Sequence, residues 1–375
     1  MVSLPHLPGY VHRTQTVYPM AEEEGSEPLE LYPSRDHRQT PTRARISAFA
    51  SALPARIRTS AEVEALIRAR SPGVRLMPGT IELMTGIRAR RHVEGHVDTS
   101  DLAAEACRRL LARTGIARQD IDLLIFASAG QDLIEPATAH ITQSKLGTSA
   151  AVLDVKNACN SFLNGVQVAE ALILTGQYRR VLVATGEVLS TGIKWGVADK
   201  ADLRRSFPGY TLGDAGAAAL IEPSSDRAGI LYTKFMSASQ HWAAGVCAGG
   251  GTMHPRGDEY SYFQGDSAAL KEAFLSAGPQ FLVDALREAG MCLGDFSRIF
   301  IHQVSMPFLE ILLQVTGIPR EKVEITLPEY GNMAAASLPV AFDLCERRGA
   351  VRRGDRVLFI GLAGGISLGV LIFQY

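Results

Sequence analysis

The chain has 375 residues, with 38 Lys and Arg against 39 Asp and Glu, and 46% of its residues are hydrophobic. This balance predicts neither the basic face of a nucleic-acid-binding protein nor an acidic tail. The five cysteines form no C-x-x-C pair, which argues against a disulfide framework or zinc site and is typical of a reducing cytoplasm. No apolar run approaches the roughly 20 residues of a membrane span, so we expect a cytoplasmic protein.

Residues 1–42 differ from the rest, because scattered prolines and three consecutive glutamates show no sustained period. We expect an extension that is flexible, loosely docked or packed on a partner subunit. From there, short apolar runs alternate with helical segments. The first half has predicted strands at 121–128, 151–155, 180–186 and 217–221, and predicted helices at 99–114 and 162–175. Asp98 is placed to cap the first helix.

The second half repeats this alternation. Strands are predicted at 229–235, 298–302, 323–325, 356–362 and 367–373, and helices at 268–289, 306–317 and 334–349. Two such halves predict an α/β fold with parallel-rich sheets covered by helices. We place the halves at 43–222 and 223–375, with inserted loops at 190–212 and 237–266.

Three residues stand where chemistry is often found. Cys159 lies between a strand and a helix, where the helix N-terminus is expected to lower the thiol pKa. His302 ends an apolar strand, at the edge where α/β proteins build their sites. Asn332 precedes an Ala-rich helix. Each residue also has an ordinary interpretation, as a core cysteine, a strand-end histidine and a turn or cap.

Together these segments resemble one family, the type III ketosynthases of the thiolase superfamily. The resemblance rests on motifs that occur in the family's order: TGIRARR at 85–91, DVKNACNSF at 154–162, HQ at 302–303, YGNMAAASLP at 330–339, and GDRVL at 354–358 followed by the glycine-rich segment 361–369. It extends from about Ile46 to Tyr375.

The resemblance implies a thiolase-like double αβαβα fold, with two similar halves that each hold a mixed five-stranded sheet, and a homodimer. It implies that Cys159 accepts an acyl chain from a thioester. The backbone N–H groups of Cys159 and Gly364 would form an oxyanion hole, while His302 and Asn332 would stabilise an enolate during Claisen condensation. Separately, the sequence has no metal-ligand spacing and no nucleotide-binding fingerprint, so we expect no cofactor or metal.

The segment DLIEPATA at 132–139 resembles the bacterial enzymes that join two fatty acyl chains head to head. In those enzymes the glutamate of this segment reaches the neighbouring subunit's site and acts as a base. Here that residue is Glu135, which lies 24 residues before Cys159. Glu135 could equally be a solvated loop acid.

Thr80 and Met84 occupy positions where housekeeping ketosynthases have a tryptophan and an arginine that bind CoA. Acyl-CoA and acyl-carrier-protein thioesters therefore both remain candidate substrates.

Three functions stay open. The first is non-decarboxylative joining of two acyl chains, with Glu135 as base. The second is a decarboxylating ketosynthase or carrier-dependent acyl transferase of a fatty-acid or polyketide pathway. The third is a non-catalytic subunit of a heterodimer. Glu187 and Asp214, at strand or turn ends, are candidates to support the site.

Overall fold

The computed structural model describes residues 43–224 and 228–375, so the predicted extension at 1–42 lies outside the described residues. The strands in chain order are β1 (Arg43–Ala52), β2 (Ile57–Thr59), β3 (Ala89–Arg91), β4 (Leu123–Ala127), β5 (Ala151–Val155), β6 (Val181–Glu187), β7 (Ala215–Ser224), β8 (Gly229–Ser237), β9 (Gly245–Cys247), β10 (Phe263–Gly265), β11 (Arg298–Ile301), β12 (Arg356–Ala363) and β13 (Ser367–Gln374).

The helices are α1 (Ser60–Arg70), α2 (Thr80–Thr85), α3 (Thr99–Thr114), α4 (Thr138–Leu146), α5 (Ser161–Leu174), α6 (Lys200–Ser206), α7 (Ser267–Ala289), α8 (Met306–Thr316), α9 (Leu327–Tyr330) and α10 (Ser337–Arg347). Local signals set several of their ends. The N–H of Asp98 donates to the Asp101 carboxylate (2.9 Å) at the start of α3, and Gly115 ends that helix with φ +70°. Ser305 Oγ accepts the Phe308 N–H at the start of α8.

The first sheet contains five strands in the order β1-β7-β6-β4-β5. Strand β4 runs parallel to β5 and β6, whereas β7 is antiparallel to both β1 and β6. Strand β5 is therefore an edge strand, and it leads directly into the turn that carries Cys159.

The second sheet contains four strands in the order β11-β12-β13-β8, with β11 parallel to β12. The predicted strand at 323–325 contributes only a single bridge, between Val323 and Ile299. The ladder stops there because the N–H groups of Thr326 and Leu327 donate to the side chain of Gln303 (3.2 and 3.1 Å). The sheet is mixed as predicted, but its fifth position is only a bridge.

Five layers account for the apolar burial. One core lies between α3 and the first sheet. The central core joins both sheets through α5 and α10, and in it the rings of Phe49 and Phe342 lie 4.2 Å apart. A third core lies between the second sheet and helices α7 and α8. This arrangement is the predicted αβαβα double fold, in which each sheet is covered on both faces.

The two predicted insertions contain some regular structure. Residues 190–212 include α6, and residues 237–266 include the hairpin of β9 and β10. No helix within residues 43–224 and 228–375 is long and apolar enough to cross a bilayer.

Candidate active site

The turn between β5 and α5 carries Cys159. Ala158 adopts φ +46°, a left-handed conformation that costs a non-glycine residue about 1–3 kcal/mol. The Asn157 N–H donates to Ser161 Oγ (2.8 Å), and this hydroxyl donates to the Ala158 carbonyl oxygen (2.7 Å). These bonds hold the strained turn in place and fix the position of Cys159.

The surroundings of the Cys159 thiol shift its pKa in opposite directions. Burial and the nearby Glu187 carboxylate raise its pKa to about 12, although the backbone N–H groups of Gly364 and Cys159 act in the opposite direction. The sequence-based expectation of a lowered pKa is therefore wrong, because desolvation outweighs the N–H groups at the start of α5. The resting site holds a thiol.

The hairpin between β12 and β13 brings Gly364 to the nucleophile. It is tied to the turn by Asn160, whose Nδ2 donates to the Ser367 carbonyl oxygen (3.0 Å). A Cβ at Gly361 would lie 2.0 Å from Asn160 Oδ1, so only glycine permits this close approach. Cys159 and Gly364, predicted as a pair, are therefore neighbours.

His302 follows the last residue of β11 and is 2% exposed. Within the described residues, neither ring nitrogen has a hydrogen-bond partner. Burial lowers the pKa of His302 to about 4, so the imidazole is neutral at physiological pH. Gln303 anchors the segment by donating from Nε2 to the Glu324 carbonyl oxygen (2.7 Å). The ring nitrogens remain available to a substrate.

Asn332 is fixed by its backbone and by one side of its amide. Its N–H donates to the Thr211 carbonyl oxygen (2.8 Å), and its carbonyl oxygen accepts the Gly213 N–H (2.9 Å). Its Oδ1 accepts the Ala334 N–H (2.9 Å). Gly331 adopts φ +69°, and a Cβ there would lie 2.7 Å from the Thr211 carbonyl oxygen. The side-chain acceptor is thus occupied, and Nδ2 is left to donate.

Strand register places His302 and Gly364 at one edge. Ile301 of β11 pairs with Ile360 of the parallel strand β12, and both strands end within a few residues. The carboxyl ends of parallel strands meet at the same sheet edge, where α/β sites form.

Glu135 is placed differently. It is exposed, and it makes no side-chain hydrogen bond or ion pair with the described residues. The base of its loop is anchored where Asp132 Oδ1 accepts from Thr99 Oγ1 (2.5 Å) and from the Ser100 N–H (3.1 Å). The Asp154 carboxylate of β5 accepts the first N–H groups of α4 (2.9 and 2.8 Å). The loop is therefore held at both ends, and its second anchor lies on the edge strand β5.

Glu187 ends the buried strand β6 and lies close enough to Cys159 to influence the thiol. It is fully buried, and burial raises its pKa to about 7. The sequence indicated only a supporting role. Its signal was an acidic residue at the end of an otherwise apolar strand, a position where carboxylates are rare unless hydrogen-bonded.

Two family models match this chain. The model described as 3-oxoacyl-[acyl-carrier-protein] synthase III matches residues 153–239, which include the Cys159 turn. The model described as the C-terminal part of the same synthase matches residues 286–375, which include His302, Asn332 and Gly364.

Solved structures share the fold. 3-Oxoacyl-[acyl-carrier-protein] synthase III from Aquifex aeolicus VF5 is 24% identical over 88% of this chain and all of its own, with a TM-score of 0.77. Cerulenin-bound OleA from Xanthomonas campestris is 24% identical over 89% of this chain and 98% of its own, with a TM-score of 0.81. A variant of that protein, in which a cysteine is replaced by serine, has bound lauric acid and lauroyl-CoA; it matches with a TM-score of 0.81, 24% identity, and coverage of 89% and 99%.

Proposed function

The chain is a condensing acyltransferase of the 3-oxoacyl-[acyl-carrier-protein] synthase III family, and on that premise we propose that it joins two acyl thioesters without decarboxylation. One chain is held on Cys159, and the second is deprotonated by Glu135 of the partner subunit in a homodimer. The observation that carries this proposal is Glu135 itself, a carboxylate without a partner in residues 43–224 and 228–375, on an anchored loop beside an edge strand.

In the loading step, Cys159 Sγ attacks the carbonyl carbon of the first acyl thioester. The developing oxyanion accepts hydrogen bonds from the backbone N–H groups of Cys159 and Gly364. The donor thiol leaves with the proton of the cysteine thiol, so the exchange is balanced. The product is an acyl chain on Cys159 as a new thioester.

In the condensing step, Glu135 of the partner subunit removes a proton from the α-carbon of the second acyl thioester. His302 and Asn332 Nδ2 donate hydrogen bonds to its carbonyl oxygen as negative charge develops there. The α-carbon then attacks the carbonyl carbon of the Cys159 thioester, and the C–S bond breaks. The cysteine recovers a proton, and a β-ketoacyl thioester is released.

The edge of the first sheet supports a homodimer. Strand β5 has no second neighbour among the described strands, and its residues are only partly buried. Next to it, Leu133 and Ile134 are 52% and 70% exposed. An unpaired edge beside exposed apolar side chains is typical of a surface that a second copy covers.

The Xanthomonas campestris enzyme has been solved with a glutamate, a cysteine or a histidine replaced. Its cysteine-to-histidine spacing is one residue shorter than that between Cys159 and His302. Its glutamate-to-cysteine spacing is two residues longer than that between Glu135 and Cys159. Glu135 therefore matches that glutamate only if this loop is two residues shorter, which makes a direct test of Glu135 necessary.

The test is subunit complementation with decanoyl-CoA as the sole substrate. Cys159→Ala and Glu135→Gln proteins are each inactive alone in condensation, and they are then unfolded together and refolded as a mixture. A mixed dimer has one complete site if Glu135 acts across the interface, so activity returns to about a quarter of the wild-type value in a symmetric dimer.

Glu272→Gln, which changes an exposed glutamate of α7, is the matched control and should remain fully active. If the mixture stays inactive, Glu135 does not act across the interface. If Glu135→Gln alone condenses a malonyl thioester at the wild-type rate and decanoyl-CoA is no substrate for the wild type, the enzyme is decarboxylating. The same assays with decanoyl-carrier protein decide which donor is used.

A further inference from the structure

Glu187 has a set of contacts that the proposed chemistry does not use. Its Oε1 accepts the Ala129 N–H (2.8 Å), and its Oε2 accepts the Gly130 N–H (3.0 Å). The Ser128 side chain and the Ala335 N–H also lie close enough to this carboxylate to lower its pKa. A fully buried carboxylate is costly unless it is hydrogen-bonded, and these neighbours come from two separate segments of the chain.

Each segment leads to a residue of the active site. Residues 128–130 begin the loop that carries Glu135. Ala335 lies next to Ala334, whose N–H fixes the amide of Asn332 (2.9 Å). The Glu187 carboxylate therefore joins the segment that holds the proposed base to the segment that holds the enolate-stabilising amide.

A third link leads to the nucleophile. Ser161 Oγ accepts the Asn157 N–H (2.8 Å) in the Cys159 turn, and its proton is shared between the carbonyl oxygens of Ala158 (2.7 Å) and Ser128 (3.1 Å). The Ser128 hydroxyl donates to the Gly186 carbonyl oxygen (2.6 Å), next to Glu187 in β6. A displacement of residues 128–130 would therefore reach the nucleophile through one side chain.

We propose that Glu187 is a positioning residue whose carboxylate fixes the Cys159 turn, the Asn332 segment and the base of the Glu135 loop in one arrangement. The part that concerns Glu135 rests on the proposed function, whereas the parts that concern Cys159 and Asn332 do not.

The charge of Glu187 also affects a second measurable property, the ionisation of the Cys159 thiol. Its carboxylate is the charged group that raises the pKa of Cys159, in addition to burial. The other charged side chains of the flanking loops have partners elsewhere: Asp132 accepts from Thr99, and Lys156 Nζ donates to Gln131 (2.8 Å). His302 is neutral because burial lowers its pKa to about 4. Removing the Glu187 charge should therefore make the thiol ionise at lower pH.

Two variants separate the charge from the hydrogen bonds. Glu187→Gln keeps the length, removes the charge and places an NH₂ group against backbone donors. Glu187→Asp keeps the charge but is one methylene too short to reach them. The rate of Cys159 alkylation by iodoacetamide is followed against pH by peptide mass in both, with exposed Cys292 as the internal reference. Condensation is measured in parallel.

We expect Cys159 to be alkylated about tenfold faster at about pH 9 in Glu187→Gln than in the wild type, and at nearly the wild-type rate in Glu187→Asp. Both variants should lose about 10- to 100-fold in the kcat of condensation, because misplaced reacting groups cost that much. The alkylation rate of Cys292 should be the same in all three proteins.

A Glu187→Gln protein with a wild-type alkylation rate of Cys159 or with wild-type condensation would overturn the inference. Alkylation requires neither Glu135 nor a second substrate, so its failure is distinguishable from failure of the proposed function. If either substitution prevents folding, Ser128→Ala gives the test. It removes the hydroxyl that donates to the Gly186 carbonyl oxygen (2.6 Å) beside Glu187, and it should slow condensation while acyl loading of Cys159 persists. Unchanged condensation in that variant also counts against the proposal.

Discussion

Two glutamates belong to or contact the loop that precedes α4, and they differ in burial and in hydrogen bonding. Glu187 is buried and holds the base of the loop, where it accepts hydrogen bonds from Ala129 and Gly130. Glu135 stands near the tip, exposed and without a partner among the described residues. A carboxylate whose oxygens are all engaged within its own subunit is poorly placed to collect a substrate proton. A carboxylate without such contacts among the described residues retains that capacity, which supports the proposal that Glu187 positions the loop and Glu135 acts as the base.

The largest expected effect tests the proposed role of Glu135 as the base. Glu135→Gln should lower condensation of decanoyl-CoA by about 10²- to 10⁴-fold, the usual contribution of a general base. Acyl loading of Cys159, measured by intact mass, should remain within about twofold because that step does not use Glu135. A variant that loads and condenses normally would make Glu135 a surface acid.

The next effect concerns the stability of the fold and tests how burial changes the ionisation of Glu187. Burial raises the pKa of Glu187 to about 7 from its ordinary 4.5, so between these values the folded protein binds more protons than the unfolded one. Protonated Glu187 therefore favours the folded state below pH 4.5. This favourable contribution to the free energy of unfolding, about 3 kcal/mol, is lost as pH rises through 7. Urea unfolding at fixed protein concentration should show wild type losing this amount relative to Glu187→Gln between pH 4.5 and 8.

Glu135→Gln is the matched control for that experiment, because an exposed carboxylate without partners should change unfolding free energy by no more than about 0.5 kcal/mol. Equal pH profiles for wild type and Glu187→Gln would mean that the carboxylate ionises as freely in the fold as in water. Its hydrogen bonds from the Ala129 and Gly130 N–H groups and its other polar neighbours would then balance the desolvation completely.

A smaller effect extends the same reasoning to two histidines. Burial lowers the pKa of both His92 and His302 to about 4. His92 Nε2 contacts the Leu212 carbonyl oxygen (3.2 Å), whereas the ring nitrogens of His302 have no hydrogen-bond partner in the part of the chain that the structure describes. The unfolded chain binds protons below pH 6.5, so each histidine lowers stability by about 2 kcal/mol as pH falls from 7 to 5.

Glutamine substitution should remove that loss in either case. Only His302→Gln should also abolish condensation, because His92 has its partner in the fold and is given no part in the chemistry. Unfolding at pH 5 and 7, together with the condensation assay, checks both statements. Loss of activity in a folded His92→Gln protein would contradict them.

The sequence predicted elements well where their signals are local. Helix α3 and strand β5 were predicted with their observed ends. Asp98 and Gly115 mark the two ends of the helix, and the short apolar run at 151–155 is itself the strand. Strand β1 was missed, since its alanines and serines hide the alternation. Motifs alone indicated Cys159, His302 and Asn332, and their roles stay predictions. The Glu187 contacts could not be predicted, because Ala129 and Gly130 lie 58 and 57 residues away. The thiol pKa was misjudged because burial raises it, and the sequence does not show how deeply Cys159 is buried.

The smallest effect tests the surface on which trans action by Glu135 depends. Ile134 is 70% exposed in the single chain, so Ile134→Ser removes no contact within the core of the subunit. If a second copy covers it, the lost apolar burial is about 1 kcal/mol for each copy. The substitution is present in both subunits of the dimer, so the total is about 2 kcal/mol and the dimer dissociation constant rises roughly 30-fold. Sedimentation equilibrium measures this, with Val283→Ser on α7, 53% exposed, as the control. An unchanged dissociation constant would place the subunit contact elsewhere and leave Glu135 without a site to reach.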